Sequence, residues 1–240
     1  MSLRTATDQL TPNARRPIIA IDGPAGSGKS TTARMLAKRL GFTYLDTGAF
    51  YRALTVKILD TGIAPDNEAV VVQVAESTTI MIKTLSEGDR VLLDGRDVTT
   101  QIRAPHVTNA IAPISSNPRV RAIMVNRQRE IGRAGGVVME GRDIGTVVFP
   151  NADLKIFMSA SIDERAKRRQ LELQKQGLER DFAVLRAEIA TRDEKDTKRS
   201  AGPLRAAEDA VMLDTTDMSI EQQVDFIVAA LQNKFPKVVG

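Results

Sequence analysis

The sequence predicts an α/β protein: an open sheet of five parallel strands with helices on both faces, a small inserted α+β subdomain and a helical lid. Two observations predict the sheet and its insert. Short apolar runs alternate with helical patterns at the start and through the second half of the 240 residues, the order that winds into a parallel sheet covered on both sides. Between residues 63 and 104 short strand patterns follow one another with no long helix to carry a parallel crossover. This stretch is therefore an antiparallel unit set into a core of residues 17–62 and 105–235.

The first strand, Pro17-Ile18-Ile19-Ala20-Ile21-Asp22, is apolar almost throughout, as a strand buried on both faces must be, and Thr31 to Leu40 reads as the helix after it. Residues 1–16 are polar and without pattern, a tail rather than an element. Between strand and helix, Gly23-Pro24-Ala25-Gly26-Ser27-Gly28-Lys29-Ser30 fits G-x-x-x-x-G-K-[ST] at every fixed position. Glycines let successive N–H groups turn inward onto phosphate oxygens, and the positive end of the following helix adds to that field. Lys29 supplies a mobile positive charge to the β/γ-phosphates of a nucleotide, and the Ser30 hydroxyl can ligate Mg²⁺. Switches, motors and kinases all share such a loop, so it names a ligand class and not a reaction.

Gly41 stops the first helix, Thr43 to Asp46 forms a second strand, and Thr47-Gly48-Ala49-Phe50-Tyr51-Arg52 opens another helix. Tyr51 and Arg52 then lie near a strand's carboxyl end, where ligands bind in open α/β sheets. A capping Thr47 beside a surface arginine is the plain alternative. In the insert, Asn67 to Ala75 has a short helical pattern. Thr78 to Leu85, Arg90 to Leu93 and Asp97-Val98 pattern as strands joined by Ser86-Glu87-Gly88-Asp89 and Asp94-Gly95-Arg96 turns. His106, the only histidine, lies beside a proline and reads as structural. A helix begins near Asn117-Pro118, and its Arg119, Arg121, Arg127 and Arg129 have the spacing of a solvated basic face.

Gly135 to Glu140 is the third core strand, ending in Gly141-Arg142-Asp143-Ile144-Gly145. An Arg-Asp pair between glycines at a strand end suits a ligand better than packing: arginine grips phosphate in a planar fork, and aspartate accepts a hydrogen bond or holds a Mg²⁺-bound water. Asp153 to Met158 is the fourth strand. Ser161 and Glu164 then fit a capping box, and Arg165, Arg168 and Arg169 share one face of the helix that follows. These arginines either pair with Glu164 and Glu172 in solvent or belong to a lid, about residues 160–178, that closes over a nucleotide. After Gly177, Asp181 to Arg199 is a helix with Arg192, Asp196 and Arg199 on one stripe. An Arg192–Asp196 salt bridge within it leaves Arg199 unexplained. Ala207 to Asp214 is the fifth strand and Ser219 to Gln232 a closing amphipathic helix.

Composition narrows the partners. A net charge of +4, from 34 basic and 30 acidic residues, is a mild excess, and nine aromatic side chains give no set of stacking platforms for single-stranded nucleic acid. Small phosphorylated ligands are the better match. With no cysteine there is no thiolate metal site or thiol nucleophile, and no apolar run is long enough to span a bilayer or form a signal peptide, which places the chain in the cytoplasm.

From about Ile18 to Leu231 the chain resembles the bacterial cytidylate (CMP) kinases, of the P-loop nucleoside monophosphate kinases. The resemblance is carried by IDGPAGSGKST, LDTGAFYR, DVTTQIR, NPRVR, GRDIGTVVFPNADLKIFM and the RDEKD block with Arg199, of which LDTGAFYR and GRDIGTVVFP are the specific ones. It implies a monomeric P-loop kinase that passes the γ-phosphoryl of MgATP to CMP or dCMP, with no nucleic acid or membrane partner. It implies that Gly23 to Thr31, with Arg165 and Arg169 of the lid, hold ATP, and that Thr47, Tyr51 and Arg52 hold the acceptor. Arg121 and Asp143 would face the base, Arg142, Arg192 and Arg199 the phosphates, and Asp196 with Arg192 the ribose. Lys29, Arg142, Arg192 and Arg199 are then the catalytic cations. The insert of residues 63–104 would be the monophosphate-binding subdomain.

Three departures stand out. Thr47 replaces a common serine and keeps its hydroxyl. Ala112 falls where a serine contacts the base, leaving that hydrogen bond missing or supplied by Ser115 or Ser116. Lys195 and Lys198 stand at positions associated with arginine or variable residues. A regulatory GTPase would need an N-K-x-D segment, which is absent, and a D-x-x-G switch, which Asp94-Gly95 does not form. A nucleic-acid-stimulated ATPase and a kinase for UMP remain as other readings of the same loop.

Overall fold

The computed structural model describes residues 15–85, 88–175 and 177–236. In chain order the elements are β1 (Ile18–Asp22), α1 (Lys29–Leu40), β2 (Thr43–Asp46), α2 (Thr47–Asp60), α3 (Glu68–Ser77), β3 (Ile80–Leu85), β4 (Gly88–Leu93) and β5 (Arg96–Asp97). A 3-10 turn (Gln101–Arg103) follows, then α4 (Pro105–Ser116), α5 (Pro118–Gly132), β6 (Val137–Gly141) and a π-helical turn (Ile144–Val148). The chain closes with β7 (Leu154–Ser159), α6 (Ile162–Gln174), α7 (Phe182–Lys198), β8 (Val211–Asp214) and α8 (Ile220–Lys234).

β1, β2, β6, β7 and β8 form one parallel sheet in the order β2–β6–β1–β7–β8. β1 is central because it is buried on both faces: Ile18 and Ala20 face one apolar cluster, Ile19 and Ile21 the other. The first cluster is covered by α2, α4 and α5; the second by α1 and α8.

The insert pairs as expected, β3–β4–β5 antiparallel, with Asp94 and Gly95 both at positive φ (49° and 85°) in a two-residue hairpin turn. The Ser86-Glu87 turn lies outside the described residues. Val71, Val72, Ala75, Ile80, Val91 and Leu93 of the insert join the same apolar cluster as the core, so its packing is continuous with the core.

One helix, α4, has no counterpart in the sequence reading, and two local readings change. α4 is a helix although it contains Pro113 as well as Pro105; Val107 and Ile114 are fully buried and hold it on α2, and tertiary packing outweighs a proline in the helix interior. The arginines of α5 form a solvated face only in part: Arg119 and Arg129 are exposed. Arg121 is buried, Arg127 donates to the carbonyls of Ala75 and Glu76 that end α3, and Arg129 to those of Val147 and Val148. At α6, Ser161 accepts from the Glu164 N–H (3.2 Å), but the Glu164 side chain turns to Arg168 (3.0 Å), so only half the capping box forms.

Candidate active site

The site lies along the carboxyl edge of the sheet, and strand register sets its lining. Asp22 pairs with Gly141 across β1 and β6, and Asp46 with Glu140 across β2 and β6, so an acid stands in the last two residues of each of three neighbouring strands. The phosphate loop rises from the first of them. Gly23 has φ 151°, and a side chain there would collide with the Met158 carbonyl oxygen of β7. Gly28, at φ 91°, starts α1 with no side-chain cap and no acid in the first turn, which leaves the helix's first N–H groups open to an anion.

Lys29 is buried, and its ammonium donates to the Pro24 carbonyl (2.6 Å) and the Ser27 hydroxyl (3.3 Å). Burial, then repulsion by Arg142, pushes it down from 10.5 to about 7 in spite of Glu140 and Asp22 nearby. Glu140 is itself buried, and that burial raises its pKa; the Tyr44 hydroxyl donates to its Oε1 (2.6 Å), and Lys29 and Ser30 favour its ionised form.

Opposite the loop, arginines converge from separate elements. Arg52 of α2 donates to Thr108 Oγ1 (3.1 Å), and Arg142, just past β6, donates through Nε to Asp196 Oδ2 of α7 (2.8 Å). Arg192 has no hydrogen-bond partner among the described residues; burial and the Arg142 charge lower its pKa to about 10. Arg52 is lowered too, by burial and with Arg103, Arg142 and Arg169 repelling it. Cations that crowd one another with this few carboxylates call for an anion between them.

Beside them Arg121 and Asp143 form a buried ion pair, with Arg199 Nη2 3.7 Å from the other Asp143 oxygen. The Arg121 guanidinium stands 5.5 Å over the Tyr51 ring. Thr47 does not cap its helix. Asp46 does so, from the Ala49 N–H, while the Thr47 hydroxyl donates to the Glu140 carbonyl (2.7 Å).

The structure thus brings together Lys29, Thr47, Tyr51, Arg52, Arg121, Arg142, Asp143, Arg192, Asp196 and Arg199. Asp196 pairs with Arg142 across two elements rather than with Arg192 inside its own helix, because Arg142 reaches it at hydrogen-bond distance. The arginines of α6 divide. Arg165 is buried on the phosphate loop, with Ala25 O at 3.3 Å and Asp193 at 2.6 Å, and Arg168 ties Gly26 O to Thr215. Arg169 does not reach the loop; it pairs with Glu172 (3.1 Å) and its side chain is half exposed. Ser115 and Ser116 both turn their hydroxyls back to the Ala112 carbonyl (3.4 and 2.8 Å), His106 is exposed at the start of α4, and Lys198 pairs with Glu194 on the surface.

The decisive comparison is the family model for cytidylate kinase, which matches residues 19–233. The chain belongs to the cytidylate kinase family. It is 49% identical over 216 residues to the cytidylate kinase of Geobacillus sp. strain WCH70, covering 90% of this chain and 96% of that one. It is 51% identical over 215 residues to that of Enterococcus faecalis, covering 90% and 93% of the two chains. The figure for Streptococcus pyogenes serotype M12 is 50% over 222 residues, covering 92% and 96%.

A cytidylate kinase takes ATP as its phosphoryl donor, and the Lys29 environment then makes a prediction. Burial favours the uncharged amine of Lys29 in the free protein, whereas bound phosphates favour the ammonium. ATP binding at about pH 8.5 is therefore expected to take up close to one proton, read by calorimetry in buffers of different ionisation enthalpy. Binding without proton exchange would contradict the depressed Lys29.

Sequence reasoning missed Asp22, Tyr44, Glu140 and Asp193. The signal for Asp22 and Glu140 was present: each is an acid ending a strand whose other residues are apolar. No helix among the described residues is long and apolar enough to cross a membrane.

Proposed function

We propose that this protein transfers the γ-phosphoryl of ATP to CMP, and to dCMP, giving ADP with CDP or dCDP. The observation that carries the reading is Arg192, a partly buried guanidinium without a hydrogen-bond partner among the described residues, beside Arg142 and Arg52 and close enough to Lys29 to depress it. Phosphoryl transfer needs an in-line pose and cations around the transferred group rather than a covalent nucleophile. The loop N–H groups from Gly23 to Thr31 and Lys29 hold the donor phosphates. Arg52, Arg142 and Arg199 hold the acceptor phosphate, Thr47 and Asp196 the sugar-phosphate side, and Arg121 with Asp143, on the Tyr51 ring, the base.

In the reaction an oxygen of the acceptor phosphate bonds to the γ-phosphorus while the bond to the β,γ-bridging oxygen breaks, and its electron pair leaves on ADP. The acceptor is already anionic at neutral pH, so no general base is required. Arg142, Arg192 and Arg199 neutralise the charge that builds up on the oxygens in flight. Arg165 and Asp193 join α6 to α7 over the loop, and closure of this lid with the insert of residues 63–104 excludes water.

The Ser30 hydroxyl and the Glu140 carboxylate are hard oxygen donors beside the loop, a set that suits Mg²⁺. When bound, that ion would neutralise the donor phosphates. In this reading the active chain is a cytoplasmic monomer. Chromatography of an incubation with MgATP and CMP tests it: CDP and ADP should appear one for one. ADP without CDP would mean hydrolysis and reject transfer.

A further inference from the structure

Asp22 is buried, belongs to no step of the transfer, and touches the wall opposite its own loop. It immediately precedes the phosphate loop at the end of β1. Its Oδ1 accepts the Ile144 N–H at 2.8 Å and its Oδ2 the Gly145 N–H at 2.7 Å. Those are the first two N–H groups of the π-helical turn that follows Arg142 and Asp143. The turn's own bonds run from the N–H groups of Val147 and Val148 to the Asp143 carbonyl and from that of Phe149 to Ile144, so they hold its far end and not its start. Among the described residues, Asp22 is the side chain that holds the start. Gly145 permits the approach: a Cβ there would stand 3.1 Å from the Lys155 side chain and 3.4 Å from Asp22 Oδ2.

We infer that Asp22 is a positioning residue for acceptor recognition, a two-point clamp that fixes the Arg142–Asp143 turn against the base of the phosphate loop. The donor and acceptor halves of the site are then referenced to one carboxylate, and Asp143 meets Arg121 in a single orientation. An amide side chain at position 22 has one acceptor oxygen, and its NH₂ would face the second N–H donor. One clamp point would be lost with little change of size. Burial pushes the Asp22 carboxyl up to about 6, with the Asp143 charge adding and Lys29 opposing; the two backbone N–H groups offset part of that cost.

The inference rests on the CMP kinase reading, and its test separates the two. In Asp22→Asn, KM for CMP should rise about tenfold or more and the preference for CMP over UMP should shrink, while the ATP dissociation constant, measured by direct binding, stays within about threefold. A fall in kcat with KM and preference unchanged would overturn the inference, since a merely structural loss does that. Equal weakening of ATP and CMP would also overturn it, by making Asp22 a support of the phosphate loop. Amide hydrogen exchange on the unmodified protein decides independently of the variant's folding. The Ile144 and Gly145 amides should exchange slowly without nucleotide, and fast exchange there would refute the clamp. Wild-type protein inactive with CMP would strike the functional reading, while slow exchange at these two amides would still support the clamp.

Discussion

Arg192→Ala is expected to lower kcat for phosphoryl transfer by about a thousandfold while ATP affinity moves by no more than about threefold. The reason is local. α7 holds the Arg192 guanidinium where burial and Arg142 both oppose its charge, and among the described residues nothing hydrogen-bonds it. A cation kept under those conditions contributes most when negative charge arrives beside it, which is the moment of transfer. Removing it relieves repulsion in the free protein, so the melting temperature should hold or rise. Stopped-flow transfer rates and direct ATP binding check both halves. Equal loss of transfer and ATP binding would contradict the assignment.

Asp143→Ala should act on the other end of the acceptor. Asp143 and Arg121 are both buried, Arg199 approaches from α7, and Tyr51 lies under the Arg121 guanidinium. Deleting the carboxylate leaves Arg121 buried without its counter-ion, at a cost of about 3–5 kcal/mol in stability. If Asp143 accepts from the exocyclic amine of cytosine, kcat/KM for CMP falls about a hundredfold and that for UMP much less, so discrimination collapses. Steady-state kinetics on the two nucleotides reads this. A CMP-to-UMP ratio like that of the unmodified protein would remove Asp143 from base reading. The alanine at position 112 sharpens this expectation, because Ser115 and Ser116 spend their hydroxyls on the Ala112 carbonyl and leave the buried pair as the polar reader.

Much of this architecture was legible because its signals are local. The apolar run of β1, the glycine loop and the α1 pattern are contiguous, and each agrees with the others about where the chain turns. The insert was legible through its hairpin turn at Asp94-Gly95. What escaped notice depends on residues distant in sequence. Nothing near Pro113 announces that Val107 and Ile114 will be buried against α2, and without that burial two prolines argue against a helix. Arg129 is exposed as its sequence suggests, but nothing near it announces that it donates to the Val147 and Val148 carbonyls.

The candidate site divided in the same way. Lys29 and Ser30 follow from a motif whose spacing is itself the mechanism. Arg192, Asp196 and Arg199 were placed on one stripe by helical spacing, yet the partner of Asp196 is Arg142, 54 residues away. Arg168 and Arg169 differ by one position in sequence, but only Arg168 reaches the phosphate loop, since a helix turns adjacent residues about 100° apart. Asp22 and Glu140 could have been suspected as acids ending apolar strands; what they hold required the register of β1, β2 and β6.

The central claim is that this chain phosphorylates a pyrimidine monophosphate and does not simply hydrolyse ATP. The most direct measurement is ADP release from MgATP with CMP, dCMP, UMP, AMP, GMP or shikimate as acceptor, against a control with none. Fast release is expected with CMP and dCMP, much slower release with the others, and almost none in the control. Release at the control rate with every acceptor would contradict it and return the arginine cluster to the status of a polyanion or partner surface.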